Sequence, residues 1–121
     1  MQRKFRLSRS EDFKRVRLTG KSYAHPLVVL VAQANAPSTK VHVGVAASKS
    51  TGNAIHRNRA KRLLREAMRP MLTSLASGWD LILIARPRLV TATLEDTRLA
   101  LTALLKRAQL LPADMDPVDE S

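Results

Sequence analysis

The order of apolar and polar positions along the 121-residue chain predicts four strands. Residues 27–32 are all aliphatic and half of them are β-branched, which is typical of a largely buried strand, and a short strand is expected before them over 21–24. Residues 41–47 alternate instead, with valine at positions 41, 43 and 45 and His, Gly and Ala between them. This strand therefore has one branched face and one small face that another group can approach closely. A last apolar run covers 79–85.

Three helices are predicted around these strands. The first covers about 8–18, Asn53 is a good N-cap for a second that runs to about Met68, and Thr93 begins a third that runs to about Gln109. The resulting order is α-β-β-β-α-β-α. It predicts an α+β fold, a two-layer sandwich with a central mixed sheet.

Charge is distributed unevenly along the chain. The formal net charge is +11, yet residues 112–121 hold four acids and no base, so the remaining 111 residues carry 21 bases against 6 acids. A domain this basic repels itself unless a polyanion screens it, which favours nucleic acid as the partner over a basic surface that serves solubility alone. We expect 1–111 to form one RNA-binding domain that begins with a basic arm over 1–7, and 112–121 to be a disordered acidic tail.

Composition excludes several other classes of protein. Cysteine is absent, which removes disulfides, thiol nucleophiles and thiolate metal sites. No apolar run approaches the ~20 residues of a membrane span, so we expect no membrane partner and a cytoplasmic location. Aromatic residues make up 3% of the chain, too few for a base-stacking platform of several rings.

The second helix concentrates positive charge on one side. At 100° per residue, an arc of about 140° holds six polar side chains: Arg57, Asn58, Lys61, Arg62, Arg65 and Arg69. Like charges four residues apart destabilise a helix by a few tenths of a kcal/mol each, and Glu66 is the only acid on this helix. The pattern predicts that an external anion separates these cations. The alternative is an ordinary solvated face, which usually mixes both signs.

One segment carries a specific motif: Lys49-Ser-x-Gly52-Asn53-Ala54-x-x-Arg57-Asn58-Arg59-x-Lys61-Arg62-x-x-Arg65-Glu66. It resembles the signature of the bacterial ribonuclease P protein subunit. Residues 7–20, 43–49 and 80–86 are also similar to that family, and the resemblance extends over about 5–110. It implies a ribonuclease P protein-like fold.

The resemblance also implies a function. Proteins of this family pair with a catalytic RNA that removes the 5′ leader from precursor tRNA, so the chain is expected to be the protein subunit of this endoribonuclease. Magnesium ions, bound mainly by the RNA, perform the hydrolysis, and the protein supplies no catalytic residue and no metal site. It is expected to bind leader and catalytic RNA and to strengthen substrate and magnesium binding. No protein partner is inferred.

Site residues follow by position in the family motifs. The leader side is assigned to Phe13, Arg17, Arg57, Asn58, Lys61 and Arg65, and the catalytic-RNA side to Lys49, Asn53, Arg59 and Arg62. Phe13 matches a stacking aromatic, although an ordinary core position fits it equally well. Arg17 stands where many relatives carry a second aromatic, so leader binding here is expected to depend more on charge.

Three other classes of protein share some of these features. A small basic ribosomal protein has similar size and charge, and it is the main alternative. A protein-only nuclease is less compatible, because no acids cluster as a two-metal site requires. A cationic membrane-surface protein would need a broad, aromatic-rich apolar helix face left exposed, whereas the strands here require that face for the core. The three histidines are scattered, and His42, on the small face of its strand, is the one histidine that could touch RNA.

Overall fold

The computed structural model describes residues 5–7, 9–35 and 40–111. Its regular elements, in chain order, are α1 (Ser10–Thr19), β1 (Lys21–Ala24), β2 (Val28–Ala34), β3 (Val41–Ala47), α2 (Ala54–Met68), β4 (Trp79–Ala85) and α3 (Leu94–Arg107). Short 3-10 turns lie at Lys49–Thr51, Arg69–Ser74 and Pro87–Thr91. The predicted order of helices and strands is confirmed, and Met1–Lys4, Ser8 and the acidic tail over 112–121 lie outside the described residues.

The four strands form one mixed sheet in the order β1-β2-β4-β3. β2 pairs antiparallel with β1 and β4, whereas β3 pairs parallel with β4, so α2 must cross from one end of the sheet to the other between them. The predicted α+β class and mixed sheet are therefore confirmed. β3 is an edge strand of this sheet, which places the connection into α2 at the margin of the domain.

The main core lies between one face of the sheet and the two long helices. Alternate strand residues such as Leu30, Leu81 and Leu83 point into it and are fully buried, as are Leu64 of α2 and Leu101 of α3. α2 packs on β3 and β4, and α3 packs beside it on β1 and β2. Aliphatic side chains supply almost all of this core, as the low aromatic content requires.

The opposite face of the sheet is covered in part by α1. Its Val16 is fully buried against Val31 and Ile82, in a second and smaller cluster. α1 begins at Ser10, with Arg9 at the N-cap position, two residues later than the sequence predicts. The sheet thus separates α1 from α2 and α3.

The N-terminal segment contacts the sheet. The Leu7 amide donates to the Val43 carbonyl at 3.0 Å, Arg6 pairs with Val43 in a parallel bridge, and Leu7 is 5% exposed. Residues 5–7 therefore cover the outer edge of β3, where unpaired backbone groups would otherwise meet solvent. Of the predicted basic arm, only this docked part is described.

The starts of α2 and α3 follow the predicted capping residues. Asn53 Oδ1 accepts from the His56 amide at 3.0 Å, and Thr93 forms a capping box with Asp96 at the start of α3. Gly52 precedes Asn53 with φ +126°, a conformation that L side chains rarely adopt. After Met68, α2 continues as the 3-10 turn that contains Pro70.

Candidate nucleic-acid interface

The cationic arc of α2 lies on the surface of the domain, as predicted. Arg57, Lys61 and Arg65 are half-buried along its length, so their aliphatic stems lie against the protein while their charged ends reach solvent. Among the described residues no carboxylate forms an ion pair with any of these three. We call Arg57, Lys61 and Arg65 the cationic stripe. Their mutual repulsion is therefore not relieved within the described part of the chain.

Arg69, at the end of the same arc, differs from the cationic stripe. Its Nη2 atom lies 2.9 Å from Oε2 of Glu66, and both side chains are largely exposed. An exposed pair of this kind contributes at most about 1 kcal/mol to stability. The pair nevertheless compensates the charge of one predicted cation. Along the helix, the cations of the arc that have no carboxylate partner among the described residues therefore end at Arg65.

The two flanks of α2 face different surroundings. On one flank, Arg59 donates from Nη1 to the Val90 carbonyl at 2.8 Å, and Arg62 lines a cleft with Leu94 at the start of α3. The centre of the cationic stripe lies about 130° around the helix from the midpoint of these arginines. It therefore faces away from α3, beside the edge strand β3.

The other predicted site residues on α2 and on the segment before it differ in exposure and in hydrogen bonding. Asn58 and Arg62 are exposed, and Lys49 is exposed on the 3-10 turn before the helix. The side-chain oxygen of Asn53 serves the helix cap, so its amide nitrogen is the group that remains for another partner. Arg59 combines its exposed position with a bond to Val90, which fixes the direction of its guanidinium.

Phe13 lies on the other face of the sheet. The far edge of its ring points at Gly44 of β3 so closely that a Cβ atom on Gly44 would lie 2.3 Å from the ring Cζ. The small face of β3, predicted to admit a close approach, thus receives Phe13. The ring is half-buried, and Arg17 is exposed one helical turn further on. The structure brings Phe13 and Arg17 together but separates both from the cationic stripe by the sheet.

Next to Phe13, part of the sheet is left uncovered by α1. Val29, Ile84 and Ala46 lie side by side on β2, β4 and β3, and all three are half-buried. This row, which we call the open sheet row, offers a shallow apolar surface against which a base can lie. The sequence does not reveal it, because the apolar runs over 27–32 and 79–85 predict buried strands without a more open face.

Three exposed cations follow the open sheet row at the end of β3 and β4. Lys49 comes two residues after β3, and Arg86 and Arg88 come directly after β4. Because parallel strands end at the same edge of a sheet, these cations lie at the margin where α2 also begins. Arg86 and Arg88 were not among the predicted site residues, although their position after a strand in a basic chain was a usable signal.

A buried carboxylate organises the opposite end of these strands. Asp80 of β4 accepts from Arg15 Nη2 at 2.6 Å, from Asn35 Nδ2 at 2.7 Å and from His42 Nδ1 at 3.0 Å. Burial by itself would raise the pKa of Asp80, but the hydrogen bonds from Arg15, Asn35 and His42 outweigh it and hold that pKa below its ordinary value. His42, considered above as an RNA contact, is engaged in this network.

The contact between Phe13 and Gly44 makes a testable prediction. Gly44→Ala is expected to destabilise the protein by about 1–3 kcal/mol, because the added methyl group displaces the ring. In urea denaturation, Phe13→Leu combined with Gly44→Ala should cost clearly less than the sum of the two single substitutions, since the smaller side chain relieves the clash. Additive costs would contradict direct contact between these residues.

Clusters of metal-ligating side chains and membrane-spanning helices are both absent from the described residues, 5–7, 9–35 and 40–111. No group of three or more His, Cys, Asp or Glu side chains is arranged there to hold a metal ion. None of the helices in this part of the chain is long and apolar enough to cross a membrane.

Comparison with known proteins connects this architecture to one family. The family profile described as Ribonuclease P matches residues 1–109. Among curated proteins, the ribonuclease P protein component of Herpetosiphon aurantiacus is 44% identical over 110 residues, which cover 91% of this chain and 89% of that protein. The corresponding protein of Chloroflexus aurantiacus is 39% identical over 114 residues, covering 93% and 84%.

Solved structures agree with the sequence matches. The RNase P protein of Staphylococcus aureus superposes with a TM-score of 0.80 at 29% identity, over 89% of this chain and 98% of that one. The RNase P protein of Thermotoga maritima gives 0.73 at 28% identity, over 84% and 96%. These matches exclude the alternative that the chain is a small basic ribosomal protein. The chain belongs to the ribonuclease P protein family, whose members are the protein component of an RNA-containing endoribonuclease.

Proposed function

We propose that this chain binds the single-stranded 5′ leader of precursor tRNA and holds it in register with a catalytic RNA that removes it. The observation that carries the proposal is the cationic stripe, three cations without a carboxylate partner among the described residues, beside an edge strand. Phosphates at the spacing of a nucleic-acid backbone relieve that repulsion. The resemblance of the signature motif supplies the identity of the two RNAs.

Leader binding in this proposal depends more on charge than on stacking. Phe13 is the aromatic ring beside the open sheet row, and one stacked base contributes roughly 1–3 kcal/mol. Arg17, one turn away, adds a cation where a second ring would extend the stack. The leader crosses the open sheet row and reaches the margin where Lys49 and the start of α2 lie. Arg57, Asn58, Lys61 and Arg65 then contact it beyond the edge strand.

The catalytic RNA is assigned to the remaining predicted residues. Lys49 and Asn53 lie at the N-terminal end of α2, and Arg59 and Arg62 lie on the flank turned towards α3. An RNA held there and a leader held by the cationic stripe are both contacted by one helix. α2 thereby reduces the repulsion between two polyanions and aligns them.

Magnesium belongs to the RNA in this mechanism. When bound, it supplies the activated water and the charge stabilisation that phosphodiester hydrolysis requires. The chain's own cations act by positioning the leader and by partly neutralising phosphates where the two RNAs approach each other. Stronger association of the RNAs preserves the metal sites between them at lower magnesium concentration. A cytoplasmic location stays a prediction.

Cleavage of a precursor tRNA at low magnesium tests the proposed function. The catalytic RNA from the same genome, the protein, and the two together are compared over a magnesium titration. We expect no cleavage by the protein alone, and cleavage by the mixture at magnesium concentrations where the RNA alone is inactive. Activity of the protein alone would overturn the mechanism, and no gain from added protein would overturn the function.

A further inference from the structure

A cleft between α2 and the start of α3 is not used by the proposed leader site. Its volume is about 340 Å³, which is within the range of small-ligand sites. It is lined by Ile55, Arg59, Arg62, Leu63, Glu66 and Leu94. It lies on the flank of α2 that faces away from the cationic stripe, the side assigned above to the catalytic RNA.

The floor of this cleft is apolar and is bordered by an exposed aliphatic side chain. Leu63 and Leu94 are half-buried, and Ile55 is 77% exposed. Leu18 on α1 is equally exposed, but it is not part of this cleft. A planar group placed against Leu63 and Leu94 would also cover Ile55 and remove it from water, whereas Leu18 would stay exposed.

The rim of the cleft is positively charged and partly fixed. The Arg59 guanidinium is oriented by its 2.8 Å bond to the Val90 carbonyl, and Arg62 has no carboxylate partner among the described residues. The one acid, Glu66, is directed at Arg69. The cleft thus combines an apolar floor with cations that are available at its entrance.

We propose that this cleft receives an unpaired nucleobase of the catalytic RNA; the assignment rests on the proposed function. A nucleobase has apolar faces that match the floor, and the phosphates on either side of it are within reach of arginines at a rim. Charge complementarity selects RNA over an apolar peptide, because burial of two arginines against such a peptide would leave their charges uncompensated. The base must be unpaired, since a base inside a duplex cannot enter a cleft.

Ile55→Ser tests the base contact, with Leu18→Ser as the matched control. Affinity for the catalytic RNA alone is measured by filter binding over a range of salt concentrations. Ile55→Ser is expected to raise the Kd about tenfold, as loss of one buried aliphatic side chain implies, with an unchanged slope of log Kd against log salt. Leu18→Ser should leave both quantities unchanged. Circular dichroism establishes that both variants are folded.

Arg62→Gln and chemical footprinting identify what enters the cleft. Arg62→Gln is expected to reduce the salt slope by about 0.7, the value for one phosphate of a single strand. Dimethyl sulfate should reveal an unpaired adenine or cytosine that wild-type protein and Leu18→Ser protect and Ile55→Ser does not. Equal binding and footprints for Ile55→Ser and Leu18→Ser would overturn the proposal without affecting the leader site. Failure of the wild-type protein to bind the catalytic RNA would overturn the proposed function itself.

Discussion

Replacement of Arg57, Lys61 and Arg65 by glutamine is expected to flatten the salt dependence of leader binding by about two units of log Kd per log unit of salt. Each phosphate neutralised on a single strand contributes about 0.7 to that slope through the counterions it releases. A fourfold increase in salt should therefore weaken the wild-type complex roughly 15- to 20-fold more than the variant complex. The measurement is the Kd of the assembled ribonucleoprotein for precursor tRNA between low and moderate salt.

Two controls separate this effect from a general loss of charge. The variant Lys21→Gln, Lys106→Gln, Arg107→Gln removes the same number of cations near β1, at the far edge of the sheet, and should keep the wild-type slope. Mature tRNA, which has no leader, should bind the wild-type and stripe-variant particles with equal salt dependence. An unchanged slope for the stripe variant would remove α2 from the leader site, and an equal change with mature tRNA would assign it to another RNA segment.

The cationic stripe could be predicted from the sequence because helical periodicity is local. Angles around α2 follow from residue number alone, and those angles separate Arg57 and Lys61 from Arg59 and Arg62. The bond of Arg59 to Val90 confirms that this second pair lies on a different flank. The bounds of β3 were also predictable, since the alternation over 41–47 ends at the residues where β3 ends, whereas β2 continues two residues beyond the predicted 27–32.

The spatial relation between the two halves of the proposed leader site, Phe13 and the cationic stripe, could not be predicted in the same way. Phe13 and the cationic stripe lie on opposite faces of the sheet, and only the strand order β1-β2-β4-β3 makes β3 the edge between them. That order depends on pairings between distant segments, such as Val43 with Leu81, which no local pattern encodes. The docking of Leu7 on β3 depends on the same edge, so a segment that looks like a basic arm becomes part of the sheet margin.

The Asp80 network is the clearest contact that the sequence concealed. Its members come from four parts of the chain: Arg15 of α1, Asn35 after β2, His42 of β3 and Asp80 of β4. Asp80 lies within an otherwise apolar strand and is 4% exposed. A carboxylate this buried is stable only because each of its oxygens accepts hydrogen bonds. The network joins α1 to the sheet and so fixes the position of Phe13 over Gly44.

Asp80→Asn is accordingly expected to destabilise the protein by about 2–3 kcal/mol. The substitution keeps the size of the side chain. It removes the negative charge and replaces one accepting oxygen by an amide nitrogen, which cannot accept the hydrogen bonds that the carboxylate accepts. The loss is smaller than the roughly 3–5 kcal/mol of a fully buried pair, because Arg15 and His42 stay 39% and 30% exposed and can be rehydrated. Urea denaturation at pH 7 measures it. Asp12→Asn, which removes a 3.4 Å contact to the same Arg15 from an exposed position, should cost less than 1 kcal/mol.

The pH dependence distinguishes the charge of Asp80 from its packing. Because the folded protein holds the pKa of Asp80 below its ordinary value of 3.8, the unfolded chain binds the proton more readily. The stabilisation is complete above that ordinary value and is lost as the pH falls through the lower, folded-state pKa. The difference in unfolding free energy between wild type and Asp80→Asn should therefore be constant above about pH 5 and shrink below about pH 4. A difference that persists at low pH would mean that shape, rather than charge, holds α1 on the sheet.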